Sequence, residues 1–195
     1  LLQIEGAGGA YEVRLPLPGA HSAANALAVA AVAAALEIPG EQVGVGLAGV
    51  APPSGRLQPR HAPAGFTVLD DTYNANPASL EAGLAVLADS GPGRRWLVLG
   101  EMGELGGETR RWHQWAGEQA RHYGVSRLVA VGEHAGESAR AFGEGAETVT
   151  DWEAALPIVE KGAGAGDRVL VKGSRSMGME RLVARLMGEG QAVDL

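Results

Sequence analysis

At 195 residues and 46% hydrophobic, the chain can bury a sizeable core, and its length suits one domain plus part of another. A formal net charge of −7 argues against a nucleic-acid surface, which needs clustered Lys and Arg, and the absence of cysteine rules out disulfides and thiolate metal sites, as fits a reducing cytoplasm. The longest apolar stretch, residues 23–36, is too short to span a membrane and contains Asn25, and no secretory pattern opens the chain.

The first residues carry no initiator Met, and Tyr11-Glu12-Val13-Arg14-Leu15 alternates as a half-buried strand does. Pro18-Gly19 ends it. The Ala-dominated run from His21 to Leu36 predicts a helix that stops before Pro39-Gly40. Ser22 is its N-cap and Asn25 lies in its first turn, where free backbone N–H groups and the positive dipole end favour anions. Asn25 either meets such an anion or only tidies the turn. Glu41 to Gly49 predicts a second short helix, and Ala51-Pro52-Pro53-Ser54-Gly55 reads as a linker. The organisation is therefore a first unit over residues 1–50, a hinge over 51–56 and a second domain over 57–195. Arg56 follows the linker at once; a guanidinium there can reach a phosphate or stack on a base, or be an ordinary surface arginine.

From Phe66 onward short apolar strands alternate with helices. Strands are predicted at 66–69, 96–99, 127–131, 147–149 and 168–171, helices at 78–88, 109–123, 134–142, 152–161 and 177–187, and an edge strand at 191–195. This alternation predicts an α/β domain with a doubly wound, mostly parallel, Rossmann-like sheet and helices on both faces.

Three polar stretches fall where strands hand over to helices. In the first, Asp70-Asp71-Thr72-Tyr73-Asn74-Ala75-Asn76-Pro77, the Asn76-Pro77 pair reads as an N-cap followed by proline at the first helical position. Ligands of open α/β sheets bind at the carboxyl ends of the strands, so these acids and amides face a candidate site, unless the two acids merely cap and solvate the loop. The second, Gly100-Glu101-Met102-Gly103-Glu104-Leu105-Gly106, is spaced G-x-x-G-x-x-G and puts Glu101 and Glu104 where a dinucleotide pyrophosphate would lie, which argues against a dinucleotide fingerprint and suits an amine-bearing partner or simple solvation. The third, Lys172-Gly173-Ser174-Arg175, sets two cations ahead of a helix N-terminus, where a bound phosphate or carboxylate would resolve the conflict with the helix dipole. The alternative is an interdomain ion pair of these cations, with Asp70 or Asp71 as candidate partners. No G-x-x-x-x-G-K-[ST] phosphate loop occurs in the 195 residues.

These stretches, together with Leu17-Pro18-Gly19-Ala20-His21-Ser22-Ala23-Ala24-Asn25-Ala26-Leu27 and Gly55-Arg56-Leu57, resemble in order the MurF-type Mur ligases, the UDP-N-acetylmuramoyl-tripeptide:D-alanyl-D-alanine ligases of peptidoglycan synthesis. The resemblance implies the tail of a central ATP-binding domain followed by the C-terminal domain. It implies ATP-dependent amide formation through an acyl phosphate, with Mg²⁺ as cofactor held mostly by other parts of the ligase. UDP-MurNAc-tripeptide and D-Ala-D-Ala are the implied substrates of a cytoplasmic, monomeric enzyme with no membrane insertion. His21 and Asn25 match the His-Asn-x-x-Asn motif near the adenine; Ser22 stands where its first Asn is usual, and a hydroxyl can still donate and accept. Arg56, Asp70 and Asp71 are the other implied nucleotide contacts. Tyr73, Asn74, Asn76, Glu101, His113 and Ser174 are the implied substrate contacts, His113 being alternatively a packing residue. Lys172 and Arg175 receive the dipeptide carboxylate or position the acyl phosphate. No metal ligand is assigned within the chain. The region 131–136 lacks the Asp-Asn-Pro-Arg wording of MurE-type ligases, which favours the dipeptide over a diamino acid, and folylpolyglutamate synthetases lack the Asp-Thr-Tyr-Asn-Ala-Asn-Pro wording. The chain alone is expected to be inactive. A non-catalytic Rossmann-like binding module is the reading from another class.

Overall fold

The computed structural model describes residues 1–6 and 9–189 and divides into two compact units, Leu1–Pro53 and Ser54–Leu195. The edge strand expected at 191–195 lies outside the described residues.

In the first unit, strands β1 (Leu2–Gly6) and β2 (Gly9–Val13) pair antiparallel, with Ile4 opposite Tyr11. Helices α1 (Ala20–Ala35) and α2 (Gly40–Ala48) follow. Ile4 and Val13 of the hairpin pack with Ala26, Ala30 and Ala33 of α1 and Val43 and Leu47 of α2. Small alanines on one stripe of α1 allow close approach, while Leu27, Val29, Val32 and Leu36 leave an exposed apolar face. Two expectations are corrected here. Strand β1 was not anticipated, and Ser22 is not the N-cap: α1 begins one turn earlier, after Gly19 at φ 89°, and the Ser22 hydroxyl donates to the Pro18 carbonyl at 2.7 Å. Asn25 consequently sits in the second turn.

The second unit is a six-stranded sheet in the order β3-β4-β8-β5-β6-β7. Its strands are β3 (Gln58–His61), β4 (Thr67–Asp71), β5 (Arg95–Gly100), β6 (Arg127–Val131), β7 (Ala146–Val149) and β8 (Arg168–Lys172). All run parallel except the edge strand β3. Helices α3 (Pro77–Ala88), α4 (Thr109–His122), α5 (Gly136–Phe142), α6 (Trp152–Gly162) and α7 (Glu180–Leu186) connect them.

The period-2 side-chain alternation sorts two residue types onto two faces. Val68, Val98, Val129, Val169 and Val171 face α6 and α7, where Ala155, Val159, Leu182 and Val183 meet them. Leu69, Leu97, Leu99, Leu128 and Leu170 face α3 and α4, against Leu80, Leu84, Leu87, Ala116 and Ala120. Strands covered on both faces read as continuous apolar runs, as parallel sheets require. Helix α7 starts at Glu180, later than the expected Met177, because Arg175–Met177 forms a 3-10 turn closed by Gly178 at φ 60°. Proline at position 59 is tolerated in β3 because that strand is an edge.

Candidate functional site

Strands β4, β8 and β5 are neighbours, so the chain leaving their carboxyl ends brings residues 72–76, 173–178 and 101–108 to one edge of the sheet. In the parallel ladder Asp71 is registered with Lys172 as Leu69 is with Leu170, so both charged side chains rise on the α3 face. Helix α3 leaves room for them at Gly83, where a Cβ would stand 3.4 Å from Asp71 Oδ2. Lys172 Nζ donates to Asp71 Oδ2 at 2.5 Å and to the Asn74 carbonyl at 2.9 Å, and Lys172 is 1% exposed. The other carboxylate oxygen, Oδ1, accepts from Leu57 N at 3.3 Å. Lys172 was expected to meet a carboxylate or phosphate of the substrates; it is instead buried, and it forms an ion pair with Asp71 inside this unit and not between domains. Burial lowers the Lys172 pKa, and the Asp71 carboxylate opposes that fall. Asp70 points to the opposite face, is buried, and accepts from Thr72 N at 3.3 Å and Thr72 Oγ1 at 2.7 Å, which fixes the start of the loop.

Residues 55–57 lie beside that loop. The Gly55 carbonyl accepts from Tyr73 N at 3.0 Å, and any Cβ at position 55 would come within 3.0 Å of that nitrogen. Leu57 adopts φ 51°, a left-handed conformation that a branched side chain rarely takes. Between them the Arg56 guanidinium lies 4.2 Å over the Tyr73 ring, a cation–π contact with both side chains exposed. Asn74 is exposed, its Oδ1 accepting from Ala75 N at 2.8 Å. Asn76 is the N-cap of α3 as expected, with Oδ1 accepting from Ser79 N at 2.9 Å and the Ser79 hydroxyl accepting from Asn76 N at 3.1 Å. Its oxygen thus serves the cap, while its amide NH₂ donors have no partner within the cap and can be offered to a ligand.

On the other side, the Glu101 carbonyl accepts from Ser174 N at 2.9 Å and its Oε1 accepts from His134 N at 2.9 Å, so Glu101 ties three loops together. His113 is fully buried. Its Nε2 accepts from Met102 N at 3.1 Å and its Nδ1–H donates to the Thr109 carbonyl at 2.8 Å, a pattern that assigns the neutral Nδ1–H tautomer. Burial is the chief cause that lowers its pKa. Expected to face substrate, His113 instead braces the underside of the loop. Ser174 is buried with its hydroxyl 3.1 Å from that of Ser176, whereas Arg175 is exposed and only 3.9 Å from Glu180 as a loose pair. Arg56 and Arg175 are thus the exposed cations among the expected site residues. His21 and Asn25 are exposed on α1 of the first unit. Among the described residues no group of three or more His, Asp or Glu could hold a metal ion. Sequence reasoning missed two residues here, Leu57 and Thr72, each of which acts by a bond to one of the two acids.

This is an open, mostly parallel α/β domain in which backbone and buried charge hold a small set of exposed polar groups at the carboxyl ends of the strands. The family described as "Mur ligase, glutamate ligase domain" matches residues 55–175, and the chain belongs to it. It is 40% identical over 186 residues to the UDP-N-acetylmuramoyl-tripeptide–D-alanyl-D-alanine ligase of Escherichia coli K12, covering 93% of this chain and 40% of that protein. A crystal structure of MurF from Acinetobacter baumannii superposes with a TM-score of 0.86 at 32% identity, over 96% of this chain and 42% of the other. A MurF ligase from Thermotoga maritima in complex with ADP gives 0.79 at 25%, over 93% and 41%. The chain thus spans about 40% of the length of the relatives it matches, and the likeness to MurF-type ligases read from the motifs is shown.

Proposed function

We propose that these residues are the carboxyl-terminal part of an ATP-dependent ligase that joins D-alanyl-D-alanine to UDP-MurNAc-tripeptide. The observation that carries this reading is the convergence of Arg56, Asp71, Tyr73, Asn74 and Arg175 around one sheet edge, in a chain 40% identical to such a ligase over nearly its whole extent. The first unit, with its exposed apolar face on α1, is the tail of a central ATP-binding domain, and residues 51–56 are the hinge.

In the reaction, the tripeptide's terminal carboxylate attacks the γ-phosphorus of ATP and ADP leaves. The dipeptide amine then attacks the acyl phosphate, loses a proton, and expels inorganic phosphate. This chemistry rests on positioning and charge neutralisation and needs no protein nucleophile. Arg56 offers guanidinium donors to the nucleotide; Asp70 and Asp71 act by fixing the backbone around it. His21 and Asn25, exposed on the first unit, offer polar side chains that suit a nucleotide. Tyr73, Asn74, the Asn76 amide and the loop braced by Glu101, His113 and Ser174 line the side that takes the peptide substrates, and Arg175 takes a carboxylate. The described residues bring together no three His, Asp or Glu that could hold a metal ion, so Mg²⁺ is assigned mostly, and the phosphate loop wholly, to other parts of the ligase. No described helix is long and apolar enough to cross a membrane, and a cytoplasmic, monomeric enzyme acting on soluble substrates accords with that.

The test is phosphate release by the complete protein with ATP, Mg²⁺ and UDP-MurNAc-tripeptide against a panel of amine acceptors. Release with D-Ala-D-Ala alone is expected. Release with a diamino acid or glutamate instead would transfer the chain to a MurE-type or folylpolyglutamate synthetase-like activity, and nucleotide binding without release with any acceptor would leave a binding module.

A further inference from the structure

A cation at 1% exposure is costly to desolvate and stays charged only with a close partner. Lys172 has two: the Asp71 carboxylate and the Asn74 carbonyl account for two of the three N–H donors of its ammonium. Asp71 in turn spends one oxygen on Lys172 and the other on Leu57 N. One buried pair therefore grips three segments that are far apart in the chain: the end of β8, the loop after β4, and residue 57.

The two remote grip points have telling neighbours. Leu57 follows Arg56, and Asn74 follows Tyr73, and it is these two side chains that stack at 4.2 Å. Each member of the exposed stack is thus one residue from an atom that the buried pair holds. Leu57 at φ 51° adds to the argument, because a residue persists in that conformation only where its surroundings over-determine it. The bond from its N–H to Asp71 is one such constraint, and the Gly55 carbonyl bond to Tyr73 N is a second tie between the same two segments.

We propose that Lys172 is a positioning residue for nucleotide recognition: through Asp71 and Asn74 it holds Arg56 and Tyr73 as a preformed plate whose guanidinium receives the nucleotide's phosphates, while Lys172 itself touches no substrate. The inference rests on the ligase reading only for the identity of the nucleotide. Arg56, its guanidinium over the Tyr73 ring and its side chain exposed, can still turn N–H donors to an anion, and a guanidinium already ordered loses less freedom on binding than a mobile one.

The experiment uses the complete protein with four variants, Lys172→Met, Arg56→Ala, the Arg56→Ala/Lys172→Met double and the Asp71→Asn/Lys172→Met double, read by calorimetric ADP affinity, KM for D-Ala-D-Ala and melting temperature. Lys172→Met is expected to weaken ADP at least about tenfold, a larger factor than any rise in the dipeptide KM that follows from loosening Tyr73 and Asn74. The Arg56→Ala/Lys172→Met double is expected to bind ADP no worse than Arg56→Ala alone, since the lysine acts through the arginine. Should Lys172→Met fail to fold for want of a partner to Asp71, the charge-free Asp71→Asn/Lys172→Met variant restores folding without restoring ADP affinity. A raised dipeptide KM with unchanged ADP affinity overturns the proposal in favour of a substrate-contacting lysine. Lower melting with both affinities unchanged overturns it in favour of a purely structural pair, and absence of ADP binding by the wild type overturns it outright. Wild type that binds ADP without dipeptide-dependent turnover sinks the ligase reading and leaves the ADP comparison as the test.

Discussion

Replacing His113 by Leu keeps the volume of the site roughly constant and removes both of its hydrogen bonds. The Met102 N–H, whose residue is 2% exposed, then has no acceptor where His113 Nε2 stood, which costs about 1–3 kcal/mol for a buried donor. The lost bond to the Thr109 carbonyl adds about 1 kcal/mol. Leu therefore destabilises by about 2–4 kcal/mol, while Gln, whose amide oxygen can still accept from Met102 N, costs about half as much. All four tryptophans lie in the second unit, so urea unfolding followed by tryptophan fluorescence reports that unit alone. Amide exchange at Met102 gives the local readout. The pH dependence has a definite sign: burial lowers the pKa of the folded imidazole from 6.5, opposed by Glu101 and Glu137 and assisted by His134. Its contribution is complete above pH 6.5 and is lost as pH falls from there toward the lowered folded value, because the unfolded chain takes up the proton first. The Leu variant should lose that slope. Wild-type stability and unchanged Met102 protection in His113→Leu would refute the bracing role.

Two further perturbations probe the frame around the site. Gly117→Ala places a Cβ 2.1 Å from the Ser138 backbone carbonyl where α4 crosses α5, and should cost about 3 kcal/mol in the same urea titration, whereas Gly164→Ala, with open space around it, should stay within about 0.5 kcal/mol. Asn76→Ala removes the N-cap acceptor of α3 and should cost about 1 kcal/mol, seen as a lower urea midpoint with an unchanged slope.

The parallel sheet was legible because each of its inner strands is apolar on both faces and is followed by a helical run, so alternation and length agreed. Strand β3 was hidden by its four residues, its proline and its polar composition, and β1 by a hairpin whose partner strand alone showed alternation. Ser22 misled because a hydroxyl near a helix start fits both an N-cap and a bond back to the preceding turn, and only the position of Gly19 decides between them. At the site, the sequence singled out Asp71 and Lys172 as a possible pair, but residues 101 apart in the chain meet only through the register of β4 with β8. His113 was noticed without its direction, since periodicity places a residue on a helix face and does not say whether a loop folds beneath it. Leu57 was invisible as a strained residue because its φ is imposed by contacts with β4 and not by its own side chain.

The central proposal, that these residues serve a ligase joining D-alanyl-D-alanine to UDP-MurNAc-tripeptide, is tested most directly by the mass of the product. The complete protein supplied with ATP, Mg²⁺, UDP-MurNAc-tripeptide and D-Ala-D-Ala should yield a UDP-MurNAc-peptide heavier by one dipeptide less one water, with one ADP formed per product. An unchanged mass, or a gain of a single amino acid from a mixed pool, would contradict it.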